Sequence, residues 1–223
     1  MNKSVLPSMR VDGQIALVTG AGRGIGKACA VALAEAGADL VLMSRTDSEL
    51  DEVAMRIEAI GRSAQKIVCD VSDASAVSHA IGQIDRLDIL INNAGIAKLG
   101  PVEHISSEEF DLHLKTMVLG AFNCVQIFLP LLGAKNKCSP GKVINISSGG
   151  GSIGQPFMAS YCSSKHALEG FSESLRRELL IYGIKVIIVA PRAFKTEIWE
   201  KSNIDGRAVD FKKTVYNLSL IHI

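Results

Sequence analysis

The chain alternates short runs of apolar residues with longer segments in which apolar residues recur at helical spacing. The runs are IALVTG at 15–20, LVLMS at 40–44, KIVCD at 66–70, DILINN at 88–93, KVINIS at 142–147 and KVIIVA at 185–190. Because they are nearly continuous, they are typical of parallel strands that helices cover on both faces. Crossover helices are predicted within 25–36, 47–60, 106–133 and 157–182. The pattern predicts one doubly wound α/β domain without an internal linker.

Composition agrees with a globular domain and narrows the classes of partner. The 223 residues are 48% hydrophobic and carry 24 basic and 23 acidic side chains. This balance gives no electrostatic reason to expect nucleic acid or an anionic membrane surface as a partner. The N-terminus has no apolar run long enough for a signal peptide, and no other stretch approaches the length of a membrane span. We therefore expect a soluble intracellular protein.

The cysteines favour a reducing compartment. There are five, an odd number, and they are widely scattered without any paired spacing that would suggest a metal site. We expect reduced thiols in a cytoplasmic protein and no bound metal.

A glycine-rich turn follows the first strand. TGAGRGIG, Thr19 to Gly26, runs directly into KACAVALAEAG. Gly20, Gly24 and Gly26 permit a tight turn, and a helix N-terminus at this point would stabilise a pyrophosphate. The strand, turn and helix together predict a dinucleotide site.

The end of the second strand bears on which dinucleotide binds. NAD sites usually offer an acidic residue there to the ribose, whereas this chain has Ser44 and Arg45, a donor and a guanidinium that suit a 2′-phosphate. Arg23 in the glycine turn adds a second cation. The sequence favours NADP(H) over NAD(H), and the alternative is that both arginines are solvated surface residues.

Tyr161 and Lys165 are four residues apart in a segment predicted to be helical, so they share one helical face. Taken alone, the pair is more typical of a lysine extending past a half-buried tyrosine than of a catalytic site. Other motifs must decide between a structural and a chemical role.

Five motifs in order resemble the classical short-chain dehydrogenase/reductase family. They are TGAGRGIG, Asp70-Val71 after the third strand, NNAG at 92–95, NISS at 145–148, and Tyr161-xxx-Lys165. Ser148 precedes Tyr161 by thirteen positions, as the catalytic serine does in that family. The resemblance extends from about Gln14 to Thr196 and implies a Rossmann-like domain.

The resemblance implies catalytic roles for Ser148, Tyr161 and Lys165. Tyr161 would donate a proton to the substrate oxygen as a hydride arrives from the nicotinamide, or accept one in the oxidative direction. A free phenol has a pKa of about 10, so Lys165 would favour the phenolate and would also bond the nicotinamide ribose. Ser148 would hydrogen-bond the carbonyl oxygen.

The resemblance also implies a set of cofactor contacts. Asp70 would accept a hydrogen bond from the adenine amino group beside Val71, and Asn92 to Gly95 would pass beneath the adenine ribose, although plain turn chemistry also explains the two asparagines. The complete set of predicted cofactor residues is Thr19, Gly20, Arg23, Gly24, Ile25, Gly26, Ser44, Arg45, Asp70, Val71, Asn92, Ala94, Gly95, Tyr161, Lys165, Pro191 and Thr196.

Two positions depart from the family pattern. Met117 stands where the family has an asparagine that holds a water on the lysine together with a kinked helix backbone, and methionine cannot replace the amide. Arg192 follows Pro191 where the family has glycine, and its side chain must turn away from the cofactor.

The end of the chain is short for the family. Few residues follow Thr196, too few for the substrate-covering segment, a helix and a seventh strand. The last six, LSLIHI, are what the bases CTGTCTCTTATACACATC of a transposon-based sequencing adapter encode. We expect one incomplete domain over 1–217 and a non-native tail over 218–223, with an ordinary apolar terminus as the competing interpretation.

The leading functional hypothesis is that the protein, in its full-length form, is an NADP(H)-dependent carbonyl reductase or alcohol dehydrogenase acting on a small molecule. Because of Met117 and Arg192, the alternative is a dinucleotide-binding pseudoenzyme or interaction protein. A purely structural module would leave Ser148, Tyr161 and Lys165 unexplained. The resemblance further implies a homodimer or homotetramer of the full-length chain, and YCSSKHALEGFSESLRREL resembles family members that act on lipophilic alcohols or acyl chains.

Overall fold

A computed structural model describes residues 9–134 and 139–192. Within these ranges lies one parallel sheet of six strands in the order β3-β2-β1-β4-β5-β6. The strands are β1 (Ile15–Thr19), β2 (Asp39–Ser44), β3 (Ala64–Val68), β4 (Ile89–Asn92), β5 (Lys142–Ile146) and β6 (Lys185–Val189). The predicted doubly wound α/β fold is confirmed. The chain direction across the sheet reverses between β1 and β4, and ligands of such sheets bind at this point.

The α-helices within the described ranges are α1 (Gly24–Glu35), α2 (Asp47–Ala59), α3 (Ala74–Ile81), α4 (Ser107–Leu114), α5 (Gly120–Phe128) and α6 (Ala159–Glu178). Short 3₁₀ turns lie at Val102–His104, Gly149–Gly151 and Leu179–Tyr182, and π-helical turns at Lys115–Leu119 and Pro130–Ala134. The segment predicted as a helix over 106–133 is therefore α4 and α5 joined through the first π-turn.

Two apolar cores lie on opposite faces of the sheet because successive strand residues point to opposite sides. Leu17 of β1 packs into one core with residues of α3, α5 and α6, such as Phe128 and Leu175. Ala16 and Val18 pack into the other core with residues of α1 and α2. Burial on both faces explains why the central strands are almost uniformly apolar.

The two outer strands of the sheet, as far as it is described, are less covered than predicted. In β3 the buried residue is Ile67, while Gln65 and Val68 are exposed. In β6, Lys185, Ile187 and Val189 are exposed. Strand β3 also begins two residues before its apolar run, so Cys69 and Asp70 follow it.

Two further comparisons with the sequence can be made. Helix α3 was absent from the predicted segments, although Asp73 caps it by accepting hydrogen bonds from the amides of Ser75 and Ala76. The predictions for Thr196, for the missing seventh strand and for the tail at 218–223 fall outside the described residues. In the part of the chain that is described, none of the helices combines the length and the apolarity that crossing a bilayer requires.

Candidate active site

An open cleft lies at the carboxyl ends of the strands, where β1 and β4 adjoin. It brings together fourteen of the residues predicted from sequence: Gly20, Arg23, Gly24, Ile25, Ser44, Arg45, Asp70, Val71, Ala94, Gly95, Ser148, Tyr161, Lys165 and Pro191. Residues from both halves of the sheet therefore face one space, as the switch-point rule predicts.

The glycine turn forms the floor of the cleft between β1 and α1. Gly20 has a φ of +63°, a backbone conformation that favours glycine. Gly26 lies so close to the turn that a Cβ there would come within 2.5 Å of Asn93 Nδ2 and collide with the Gly20 carbonyl. The turn and the start of α1 are thus packed as closely as a phosphate cradle requires.

The first turn of α1 has amides that no side chain caps. Arg23 occupies the N-cap position without a side-chain hydrogen bond to the helix, whereas Asp73 and Ser106 cap α3 and α4. Uncapped amides at a helix start suit an anionic ligand. This observation fits the pyrophosphate of a dinucleotide.

Three predicted cofactor residues support the cleft instead of lining it. Thr19 Oγ1 accepts hydrogen bonds from the amides of Asn93 (2.9 Å) and Ala94 (3.0 Å). Asn93 Nδ2 in turn donates to the Thr19 carbonyl at 2.9 Å. Thr19, Gly26 and Asn92 are therefore positioned beneath the site, where they fix the loops after β1 and β4.

The end of the cleft near β2 carries charges in two ion pairs, in which Arg45 is exposed and the other three residues are partly buried. Arg23 Nη1 lies 3.3 Å from Glu49 Oε1, and Arg45 Nη1 lies 3.8 Å from Asp70 Oδ2. Asp70 Oδ1 also accepts a hydrogen bond from the hydroxyl of Ser72 at 2.7 Å. Glu49 lines the cleft on α2 but was not among the predicted residues, because its proximity to Arg23 depends on the packing of α1 against α2.

Ser148, Tyr161 and Lys165 meet at the other end of the cleft. Tyr161 and Lys165 project from α6, and both are almost fully buried. Lys165 Nζ donates to the Ile146 carbonyl at 2.7 Å and lies 5.8 Å from the centre of the Tyr161 ring. Ser148, on the loop after β5, lies beside Tyr161, and its hydroxyl accepts a hydrogen bond from the Gly150 amide at 3.2 Å.

Burial governs the titration of both α6 side chains. It lowers the pKa of Lys165 to about 8, against an opposing effect of the Glu169 carboxylate. Burial also raises the pKa of Tyr161, and the interaction with Ser148 opposes that rise in part. This differs from the expectation that Lys165 depresses the pKa of the phenol. The lysine ammonium is hydrogen-bonded to the Ile146 carbonyl, and the phenol loses solvation because it is buried.

Met117 lies beside Tyr161, within the π-turn that joins α4 to α5. Its side chain is 2% exposed and packs with Ala97, Tyr161 and Cys162. Its sulfur lies 3.9 Å from Ser164 Oγ. The Gly120 amide donates to the Lys115 carbonyl, which is the hydrogen bond of a π-turn. The helix irregularity that the resemblance implied is present, and an apolar side chain occupies the position of the amide.

A buried chain of polar side chains connects the site to the sheet. Asn92 Nδ2 donates to Asn145 Oδ1 at 2.8 Å, Asn145 Nδ2 donates to Ser172 Oγ at 2.7 Å, and Ser172 donates to the Leu168 carbonyl at 2.6 Å. These hydrogen bonds join β4, β5 and α6, so they hold Tyr161 and Lys165 at a fixed distance from the strand ends. The role of Asn145 and Ser172 could not be inferred from their positions in the sequence.

The loop after β6 closes one side of the cleft. The Gly149 amide donates to the Pro191 carbonyl at 3.0 Å, which attaches this loop to the serine-bearing loop. Arg192 is exposed and also lines the cleft. Its Cγ lies 4.0 Å from where a Cβ of Gly149 would be, so the side chain is accommodated at this position without strain.

Comparisons with known proteins agree with this geometry. The short chain dehydrogenase family model matches residues 14–206. An NADPH-dependent 3-dehydrocapnine reductase of Ornithobacterium rhinotracheale is 36% identical over 210 residues, covering 90% of this chain and 72% of the relative.

Two solved structures have the same fold and different cofactors. One, described as an NAD(P)-dependent gluconate 5-dehydrogenase of Beutenbergia cavernae with bound NADP at low occupancy, superposes with a TM-score of 0.81 at 31% identity, covering 90% of this chain and 80% of that one. An NAD⁺-bound xylitol dehydrogenase gives a TM-score of 0.80 at 31% identity, covering 85% and 74%.

Proposed function

Since this chain belongs to the short-chain dehydrogenase family of oxidoreductases, we propose that it transfers a hydride between NADP(H) and a carbonyl or alcohol group of a small molecule. The observation that carries the proposal is the meeting of three side chains in the cleft. The Ser148 hydroxyl lies beside Tyr161 in the cleft, and the buried Lys165 lies on the same helical face as Tyr161.

Tyr161 is the proton donor of the reductive reaction. The nicotinamide, when bound, supplies the hydride that adds to the carbonyl carbon. Tyr161 Oη gives its proton to the carbonyl oxygen, so that an alcohol results, and the reverse transfer applies to oxidation. The raised pKa keeps the phenol protonated near neutral pH, which suits donation.

Ser148 and Lys165 prepare the site for that transfer. The Ser148 hydroxyl hydrogen-bonds the substrate oxygen beside Tyr161 and stabilises the charge that develops there. The Lys165 ammonium, fixed by the Ile146 carbonyl, places a positive charge 5.8 Å from the centre of the Tyr161 ring. The low exposure of both α6 side chains excludes water and strengthens these interactions.

The preference for NADP(H) rests on the cationic end of the cleft. Ser44 and Arg45 would hold the 2′-phosphate, Arg23 would add a second cation, and the amides at the start of α1 would hold the pyrophosphate. The NADPH-dependent relative supports this preference. NAD(H) remains the alternative, since an NAD⁺-bound neighbour has the same fold.

The exposed apolar side chains of α4, α5 and the π-turn between them support self-association of the chain. Phe110, Leu119 and Phe122 are each more than a third exposed. Apolar groups that recur along one pair of helices are typical of a subunit interface. A homodimer or homotetramer would cover them.

The test is an assay of the purified chain for NADPH oxidation with a panel of ketones, with NADPH binding measured separately by fluorescence. We expect ketone-dependent oxidation and a lower Michaelis constant for NADPH than for NADH. Binding of NADPH without turnover of any ketone would contradict the hydride-transfer proposal and favour a dinucleotide-binding module.

A further inference from the structure

Glu169 occupies a position between the two segments that carry the catalytic residues. It lies on α6 one helical turn after Lys165, and its Oε1 accepts a hydrogen bond of 2.5 Å from the hydroxyl of Ser147. Ser147 directly precedes Ser148 in the loop after β5. Glu169 therefore connects the helix that carries Tyr161 and Lys165 to the loop that carries Ser148.

The serine-bearing loop is shaped around this carboxylate. A Cβ on Gly151 would lie 2.5 Å from Ser147 Oγ and even closer to the carboxylate of Glu169. The Ser147 amide also donates to the Val189 carbonyl at 2.7 Å. Residues 147–151 are thus held on one side by β6 and on the other by Glu169, with no room for a side chain between them.

Glu169 is also the acidic neighbour of the buried lysine. Tyr161, Cys162 and Glu169 lie on the same helix as Lys165, and Arg192 lines the cleft from the loop after β6. The segments after β4 and β5, residues 93–97 and 147–157, contain no titratable side chain. The carboxylate raises the pKa of Lys165 against the larger effect of burial.

We propose that Glu169 is a positioning residue that holds the loop of Ser148 through Ser147 and keeps Lys165 protonated through its negative charge. The inference deepens the proposed hydride transfer, on which its kinetic consequence rests. The two actions are separable, because glutamine keeps an acceptor for Ser147 but removes the charge, whereas Ser147→Ala removes the hydrogen bond but keeps the charge.

The charge is tested without any turnover, by a double-mutant cycle of urea unfolding on the 223-residue chain at pH 7. Its members are the parent, Glu169→Gln, Lys165→Met and the double variant. We expect Glu169→Gln to raise the unfolding equilibrium constant by a factor that is about two- to fivefold larger in the parent than in the Lys165→Met background. An equal effect in both backgrounds would overturn the electrostatic part. Glu173→Gln, exposed one turn further along α6, is the matched control and should show no coupling.

The positioning role is tested by the pH profile of ketone reduction with saturating NADPH. Glu169→Gln should move the alkaline fall in kcat to lower pH by about half a unit, because Lys165 then loses its proton more easily. Ser147→Ala should lower kcat about tenfold at every pH without moving the profile. An unshifted profile in Glu169→Gln, or an unchanged kcat in Ser147→Ala, would overturn the corresponding part.

The two proposals can fail separately. If the parent chain reduces no ketone, hydride transfer is wrong, and the unfolding cycle still decides whether Glu169 acts on Lys165. If the parent is active and the cycle shows no coupling, the role of Glu169 is wrong and the proposed function stands.

Discussion

The two ends of the cleft are built in different ways. At the end that holds Tyr161 and Lys165, these residues are 7% and 5% exposed, and Lys165 Nζ donates a hydrogen bond to the Ile146 carbonyl at 2.7 Å. At the end near β2, the side chains of Arg45 and Asp70 are 59% and 41% exposed and meet at 3.8 Å. Interactions between exposed charges are screened by water and salt, whereas buried ones are not. Under the proposed function, packing would fix the chemistry, and the choice of cofactor would depend on a few replaceable surface charges.

The largest effect should come from removing one atom at the buried end. Tyr161→Phe keeps the ring but deletes the transferable proton, so we expect turnover to fall by about 10²–10⁴-fold. The dissociation constant for NADPH, measured by fluorescence titration, should stay within a few-fold of the parent value. Tyr182→Phe, on the exposed 3₁₀ turn after α6, is the control and should be fully active. Turnover near the parent rate in Tyr161→Phe would remove Tyr161 from the mechanism.

Burial of Lys165 should also appear in the stability of the chain without ligand. Its pKa falls from 10.5 to about 8 on folding, so between these values the unfolded chain binds more protons and stability rises with pH. The unfolding free energy of the parent relative to Lys165→Met should grow by about 3 kcal/mol across this window. Burial raises the pKa of Cys69 to about 11, which acts in the opposite direction in both proteins and cancels in the difference. A flat difference between pH 8 and 10.5 would show that Lys165 is not desolvated.

Met117 allows the buried end to be improved. Met117→Asn supplies an amide that can hold a water near Lys165, so we expect the rate of ketone reduction to rise by up to about 10²-fold with little change in NADPH affinity. Met55→Asn on the exposed face of α2 is the matched control. A rate that stays the same or falls, in a variant with parental stability, would show that Met117 does not limit proton transfer.

The exposed end should respond in a graded way. Arg45→Ala removes a charge-assisted bond to the 2′-phosphate, which contributes roughly 1.5–3 kcal/mol, so the Michaelis constant for NADPH should rise about 10–100-fold. The constant for NADH should change little. Arg56→Ala, exposed on α2, controls for loss of a positive charge. Equal changes for both cofactors would show that Arg45 does not read the phosphate.

The smallest effect concerns the pair between Arg23 and Glu49. Glu49→Gln removes the carboxylate that competes with the cofactor for Arg23. A surface ion pair of this kind contributes about 0.2–1 kcal/mol, so NADPH binding should tighten only two- to fivefold. The gain should shrink as salt is added. Tighter binding of NADH by the same factor would assign the effect to general charge and not to the 2′-phosphate.

The same contrast explains how much could be predicted from sequence. Central strands such as β1 and β4 are buried on both faces, so their apolar runs identified them directly. Strand β3 lies at the edge of the sheet and mixes exposed and buried residues, so its bounds were misplaced by two residues. The glycine turn and the Tyr161–Lys165 spacing are local patterns, and the structure brings both into one cleft.

Contacts between distant segments could not be predicted. The bond from Ser147 to Glu169 spans 22 positions, and the pair of Arg23 with Glu49 spans 26. Such contacts depend on how α6 lies against β5 and how α1 lies against α2, which no local pattern encodes. The shift of the Tyr161 pKa likewise depends first on the depth of the site, which no local pattern encodes.

The π-turn at Lys115–Leu119 also sets the angular phase of the helix that follows it. A π-turn accommodates one residue more than an α-turn, and one residue corresponds to about 100° of rotation around a helix. Deleting any one residue of this turn would restore regular α-helix and rotate all of α5 by that angle. Cys124 and Phe128, now fully buried, would leave the core. Deleting one residue here should therefore destabilise the fold far more than a substitution would, although the turn only joins two otherwise ordinary helices.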